Sequence, residues 1–367
     1  MRLGKPKATK SLSTLIIIPL LLCFAGLFFV FEASSVKSFS EVGNSFHYFK
    51  LQFLWMSLGI GIMMFLSFFD YHKFYYLSFP LMMLTILFLV IVLIPGLGTQ
   101  AGGARRWIDL GIINFQPTEI AKFSVIIYLS SWFIHRERKR FFSFITLLGF
   151  LILLIILQPD MGTAIIVFSL SIIIYFLAGV ELIYLGLLLP ASIGGFLLLV
   201  KTSSYRFKRF SAFLDPSSDP LGIGYHVNQI LISLGNGGLI GEGFGASRQK
   251  YLFLPEAHTD SIFAIIGEEF GFIGGFLLIF TFFALLYYIY RVSAGAGDRY
   301  GRLLAGGIFA YFALQITINL AGMVSLLPLT GVPLPFISYG GSNLLVSFAL
   351  LGILANIAKQ SKKFKVK

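Results

Sequence analysis

The sequence predicts an all-α polytopic membrane protein with about ten transmembrane helices and one large extracytoplasmic loop carrying a short interfacial helix. Three observations predict it. First, 57% of the 367 residues are hydrophobic and only 12% are charged, with a mean hydropathy of +0.87, against roughly a quarter charged in soluble chains. Second, ten apolar runs are long enough to cross a hydrocarbon core of about 30 Å, some with tilt. Third, 41 Phe and 38 Gly accompany just 16 acidic residues, and Gly is well tolerated where membrane helices pack closely. The same figures exclude collagen-like, disulfide-scaffold and disordered classes. The lone Cys23 lies inside an apolar run, so it forms no intrachain disulfide.

The runs fall at 14–33, 51–69, 75–95, 117–134, 141–157, 161–179, 182–200, 261–290, 303–324 and 340–358. The first resembles a signal peptide in its basic start, but it exceeds a typical apolar region and lacks an A-x-A cleavage site; it reads as an uncleaved helix. With the N-terminus inside, 17 Lys and Arg fall on the inner side. The outer side has ten, six of them in the long 201–258 segment, where charge carries little topological weight. Both tails, 1–13 and 359–367, are therefore expected in the cytoplasm, flanking a single membrane domain over 1–367. The net charge of +12 reads as topology signal and anionic-lipid contact rather than a nucleic-acid footprint.

Two outward segments are unusual. The Gly-rich 96–116 stretch carries RRWID. Segment 201–258 holds the turn cluster DPSSDP (215–220) and HVNQILISL (226–234), whose near-helical spacing suggests a short interfacial helix. A long ordered loop is uncommon without a job.

Under this topology RRWID, QPD (158–160), PEAHTD (255–260) and LPLTGVPLPFISYGGS (327–342) all face outward, which argues for an outward site. Asp260 directly precedes the apolar run SIFAIIG. A partly desolvated carboxylate there is a plausible general base, and an N-cap at Thr259 or Asp260 is the equal alternative. Glu119 and Lys122 share one helix face, either as an ion pair holding helices together or with the cation meeting an anionic substrate. Glu268 and Glu269 point to different sides of their helix, suiting buried hydrogen bonds more than a proton path. Arg105, Arg106, Arg248 and Lys250 are outward cations, suited to phosphate oxygens or simply to solvent and head groups. Trp107 is an interfacial anchor or a platform for a sugar or lipid. Pro328, Pro333 and Pro335 with Gly331, Gly340 and Gly341 preclude a regular helix over 328–341, so this stretch is expected to wall a cavity. No Walker loop, H-E-x-x-H, Cys/His metal spacing or D-x-D pair is present, which disfavours ATP-driven transport and zinc chemistry.

The segments ARRWIDLGIINFQPTEIAKF (104–123), LQPDMGTA (157–164), LPEAHTDSIFAIIGEEFGFIG (254–274) and LLPLTGVPLPFISYGGS (326–342) resemble, in order, the motifs of the SEDS family of FtsW, RodA and SpoVE. EAHTD with IGEEFG and ARRW sit nearer FtsW than RodA. The resemblance implies a peptidoglycan glycosyltransferase, inverting at the transferred sugar, that polymerises lipid II on the outer face of the bacterial cytoplasmic membrane in cell division or elongation. It matches the essential carboxylate to Asp260, the Glu and Lys of QPxE-x-x-K to Glu119 and Lys122, the Arg-Trp pair to Arg106 and Trp107, and the QPD aspartate to Asp160. His258, Thr259, Ser338 and Gly340 belong to the same motifs. Ser261 stands where an aromatic is usual, Glu242 where Lys or a neutral residue is commoner, and Asn343 follows Gly-Gly-Ser. The implied partners are lipid II, the undecaprenyl-pyrophosphate glycan strand and a class B penicillin-binding transpeptidase with other division or elongation proteins. No cofactor is required, and nothing in the sequence demands a divalent cation. A lipid II flippase and a non-catalytic divisome scaffold are the alternatives.

Overall fold

The computed structural model describes residues 8–101, 104–109, 111, 114–135, 141–179, 182–220 and 222–364. Each of the ten apolar runs becomes a helix: α1 (Ala8–Val42), α2 (His47–Phe68), α3 (Lys73–Ile91), α4 (Pro117–Trp132), α5 (Phe141–Leu157), α6 (Met161–Leu177), α7 (Leu182–Lys201), α10 (Ile262–Gly295), α11 (Arg299–Met323) and α12 (Gly341–Phe364). Among the described residues six of them, α1, α2, α3, α10, α11 and α12, are long and apolar enough to cross a membrane. At 16, 17 and 17 residues, α4, α5 and α6 fall short of the roughly 20 that an untilted span needs. The expected ten spans are therefore not established by helix length. The basic positions 136–140 and both chain ends, on which much of the charge asymmetry rests, lie outside the described residues.

Two regions depart from the expectation. The 96–116 stretch is not an irregular loop: β1 (Gly98–Ala101), β2 (Ala104–Asp109) and β3 (Asn114–Phe115) form a small antiparallel sheet in the order β1-β2-β3. Its glycines mask a period-two pattern too short to register in the sequence. Segment 201–258 holds two helices rather than one, α8 (Ser204–Leu214) and α9 (Ile223–Asn236). Helix α9 buries Val227, Ile230 and Ser233 as it packs on α10.

The core is one large apolar cluster with a smaller second one where α9, the 254–257 turn and the start of α10 meet. Helix α12 lies along α2, α3 along α4, α10 along α11, and α4 along α6. Small residues permit the closest approaches: Gly59 sits under the Phe348 ring, and Gly26 abuts the backbone of Phe336 and Ile337. Within this cluster Lys122 Nζ donates to Glu119 Oε1 at 2.7 Å, with both side chains no more than 4% exposed. Asn343 Nδ2 donates to Glu119 Oε2 at 3.1 Å and lies within reach of Tyr311 and Gln315. The ion pair forms within one turn of α4, not between helices as expected, and the link from α4 to α12 is the Asn343–Glu119 hydrogen bond; neutralised in this way, two charges become tolerable in an apolar bundle.

Helix α10 is broken where the sequence reads as one continuous apolar run. Gly271 takes φ 63°, ψ −163°, a conformation open to glycine alone. The freed backbone groups are met by the Gly-rich turn after α9. Glu242 and Gly243 amides donate to the Glu268 and Glu269 carbonyls at 3.0 and 3.1 Å, and the Phe272 and Ile273 amides donate to the Gly238 and Leu239 carbonyls at 2.9 and 3.1 Å. Non-helical backbone survives in an apolar setting only when other backbone answers it. These bonds also occupy the 242 and 243 amides, so the turn is no phosphate cradle.

Replacing Gly271 by Ala forces a Cβ toward the backbone of 239–241 and is expected to lower stability by about 1–3 kcal/mol. Thermal unfolding in detergent checks this against Gly149→Ala, where a Cβ meets nothing within 4 Å. Lys122→Met leaves Glu119 buried and unpaired and is expected to cost about 3–5 kcal/mol, whereas the double variant with Glu119→Gln recovers much of the loss. A double variant no better than Lys122→Met would refute the pairing.

Candidate functional site: a buried carboxylate beside an arginine-lined cavity

Asp260 closes a tight turn built by PEAHTD. Thr259 and Ser261 amides both donate to the Glu256 carbonyl, at 3.1 and 3.2 Å, and Glu256 takes φ 50° to allow it. The Asp260 carbonyl accepts Asn319 Nδ2 of α11 at 2.8 Å; the same amide donates to the Val332 carbonyl at 2.8 Å. Thr259 Oγ1 lies 3.2 Å from Asp260 Oδ1 and 2.9 Å from Glu256 Oε2. On the other side Asp260 Oδ2 faces Gly331, where even a Cβ would sit 3.7 Å away. The carboxylate is 9% exposed. Burial first, and Glu256 second, push its pKa up to about 6, with Arg209 and the Thr259 hydroxyl pulling the other way.

The capping alternative fails. Helix α10 begins at Ile262 with Ser261 at the N-cap, and neither Thr259 nor Asp260 caps it through a side chain. The Asp260 side chain is thus uncommitted to helix geometry.

Beside this turn lies a cavity of about 180 Å³. Arg106, Arg206, Arg209 and Asp160 contribute its polar groups; Phe196, Val200, Phe210, Ile318 and Leu327 wall it with apolar surface. Leu329 and Thr330 line it too, so the cavity and Asp260 share the 328–332 segment. Arg209 joins them physically: it lines the cavity, its Nη1 donates to the Leu329 carbonyl at 3.2 Å, and its charge reaches Asp260.

The remaining sequence-derived candidates divide. Arg106 extends from β2 to donate from Nε to the Gln158 carbonyl at 3.1 Å and from Nη2 to the Pro159 carbonyl. Asp160 caps α6, accepting from the Thr163 amide at 3.1 Å and hydroxyl at 2.7 Å. In the β1–β2 pairing Thr99 faces Trp107 and Gln100 faces Arg105, so Arg106 is the extra residue of an irregularity in β2; both Trp107 and Arg105 are half-buried. Arg248 is exposed and lines no part of the cavity. Lys250 corrects the expectation of an outward cation: it is buried and pairs with Glu32 at 2.7 Å and Glu269 at 3.3 Å. Burial works against its charge, yet those carboxylates hold its pKa above the usual value. Glu268 accepts the Ser247 hydroxyl.

His258 is wedged between Tyr48 and Tyr339, with ring centroids 4.7 and 5.6 Å away, and burial, then Lys37, depresses its pKa to about 4. Ser338 and Gly340 hold the irregular segment: Ser338 Oγ accepts the Leu334 amide at 2.9 Å, and Gln52 bridges the Ser338 carbonyl and the Gly340 amide. Arg206, Arg209, Asn319 and Gln52 were missed. The first two were legible, because a three-residue spacing in YRFKRF puts both on one helical face; the others lie in apolar helices with no local signal. Among the described residues no three His, Cys, Asp or Glu converge as metal ligands.

Comparison with known proteins identifies the family and the fold. Residues 13–363 match the FtsW/RodA/SpoVE family model, described as "Cell cycle protein". The chain is 40% identical over 358 residues to the stage V sporulation protein E of Bacillus subtilis, covering 95% of this chain and 97% of that one. It is 38% identical over 353 residues to a probable peptidoglycan glycosyltransferase FtsW of a Geobacter species, covering 94% and 95%. In fold it resembles a chain of a solved peptidoglycan synthase complex, with TM-score 0.76, 24% identity and coverage of 95% and 97%. The Thermus thermophilus rod shape determining protein RodA gives TM-score 0.70, 24% identity and coverage of 94% and 96%. The order of its motifs, its near full-length match and its helical membrane fold all agree: this chain belongs to the FtsW/RodA/SpoVE family of cell cycle proteins.

Proposed function

We propose that this protein is a peptidoglycan glycosyltransferase that polymerises lipid II at the outer face of the bacterial cytoplasmic membrane, with both chain ends in the cytoplasm, ten membrane-crossing segments and a class B penicillin-binding transpeptidase as partner. The observation that carries the reading is the buried Asp260 packed against the 328–332 segment, which also lines a cavity holding three arginines among apolar side chains. That combination suits a polyprenyl pyrophosphate, whose charge and hydrocarbon need opposite environments. The names of the relatives, several of them called probable peptidoglycan glycosyltransferase FtsW, support the same reading.

In this mechanism Asp260 takes the proton of the acceptor GlcNAc 4-hydroxyl. The oxygen attacks the donor anomeric carbon, and the bond from that carbon to the pyrophosphate oxygen breaks with inversion. The leaving undecaprenyl pyrophosphate takes the electron pair, and Arg106, Arg206 and Arg209 offset its growing charge. A leaving group this good needs one carboxylate rather than the pair used by glycoside hydrolases. The guanidiniums supply the positive charge, so no resident metal is invoked. A transport role draws no support from Glu119 and Lys122, which neutralise each other and do not line the cavity. A scaffold has no use for a desolvated carboxylate beside cations.

Purified Asp260→Asn is expected to lose polymerisation of labelled lipid II by at least about 10²–10⁴-fold, with thermal stability retained and with or without the transpeptidase; retained activity would sink the assignment. The wild-type rate should fall as pH drops through about 6, because the carboxyl holds its proton below that value. Arg209→Gln removes a charge that favours the carboxylate, so its acid limb should move to higher pH while KM for lipid II rises. An unmoved limb would remove Arg209 from the site.

A further inference from the structure

The turn that carries Asp260 is tied at its end to one side chain that the mechanism above does not use. His226 lies in the first turn of α9, with Nε2 2.7 Å from Ser261 Oγ. The Pro255 carbonyl also acts on the ring, favouring its N–H. Pro255 opens the 255–261 turn and Ser261 ends it, one residue after Asp260. Ser261 is fully buried and occupies the N-cap of α10, where a serine hydroxyl ordinarily accepts a helix amide; here it makes no such bond. Its hydroxyl is diverted to the imidazole. Ser261 is also the position at which this chain departs from the motif it otherwise follows.

The ring is well placed to act as an anchor. Asp219 Oδ2 accepts the Ile223 amide at 3.1 Å, and Val227 and Ile230, flanking His226, are buried as α9 packs against α10. Burial, with Arg209 nearby, depresses the His226 pKa to about 4 against the pull of Glu256. The imidazole is therefore neutral through the working range, with one nitrogen donating and the other accepting. A carbonyl and a hydroxyl are the two partners that one neutral tautomer satisfies together.

We propose that His226 is a positioning residue for Asp260: through Ser261 it ties the end of the 255–261 turn to α9, and so sets the orientation of the carboxylate and its exclusion from water. The proposal rests on the reading of Asp260 as the base. The other charged and polar groups that face Asp260 are Glu256 and Thr259 of its own turn, Arg209 of α8 and Asn319 of α11; Lys37 of α1 stands 3.9 Å from Glu256. None of these replaces the tie to α9.

The test uses full-length purified protein with lipid II, comparing His226→Ala, His226→Gln, Ser261→Ala and the alanine double variant. His226→Ala is expected to lower kcat by about 10- to 100-fold with KM within about twofold, since the lipid cavity is untouched. Its acid limb should shift below 6 as water reaches Asp260, the opposite direction from Arg209→Gln. His226→Gln, whose amide also donates and accepts, should restore most of the rate and the limb. Ser261→Ala should act in the same direction, and the double variant should add little to His226→Ala. An unmoved limb and unchanged kcat in His226→Ala would overturn the proposal. So would a loss of rate shared by the Gln variant with no shift of the limb. Infrared titration of the Asp260 carboxyl, identified by its loss in Asp260→Asn, reads burial without catalysis. Should Asp260→Asn stay active, the base reading falls, and the clamp then stands or falls on whether that titration drops in His226→Ala.

Discussion

One side-chain amide holds the site together. Asn319, buried near the C-terminal end of α11, donates to the carbonyls of Asp260 and Val332 at 2.8 Å each. Those carbonyls belong to the two irregular segments, 237–261 and 324–340, that a membrane protein has most difficulty accommodating, because neither satisfies its own backbone as a helix does. A carbonyl left unanswered in such surroundings costs about 1–3 kcal/mol. Asn319 answers one from each segment, and in doing so fixes the Asp260 turn against the wall of the cavity.

The rest of the architecture extends this principle. Gln52 of α2 serves the far end of the 324–340 segment as Asn319 serves its middle. The Gly271 break in α10 is matched amide for carbonyl by the turn after α9, and the Glu32–Lys250–Glu269 bridge ties that turn to α1. These irregular segments are thus pinned from α1, α2, α9 and α11. A carboxylate can be kept dry there without being consumed by a structural bond.

Charge is handled in two ways within the same chain. Glu119 and Lys122 meet within a helix turn and cancel, with Asn343 taking the remaining oxygen; such a pair supports packing and offers little to a ligand. Arg209 donates to the Leu329 carbonyl; Arg106 and Arg206 donate to the carbonyls of Gln158 and Leu199, contacts that orient a guanidinium without neutralising it. Their positive charge therefore remains available to the cavity. Asp160, capped against Thr163, is the local counterweight.

What the sequence by itself determined is the ten apolar helices and the polar turn that ends on Asp260. Ten apolar runs became ten helices because transfer of apolar side chains is a sum over neighbours in the chain, and PEAHTD announced itself as a polar turn ending on a carboxylate before an apolar run. The pairing of Glu119 with Lys122 was legible for the same reason, being a three-residue spacing. What only the tertiary structure decided is where each polar group finds its partner. Lys250 reads as an outward cation until Glu32, more than two hundred residues earlier in the chain, is seen beside it. Asn319 and Gln52 read as isolated polar residues in apolar helices. Gly271 reads as one glycine among many until the 238–243 turn fills the break. Hydrogen bonds and ion pairs are specific and short-ranged, so their satisfaction depends on which distant segments are brought together, and no local pattern encodes that.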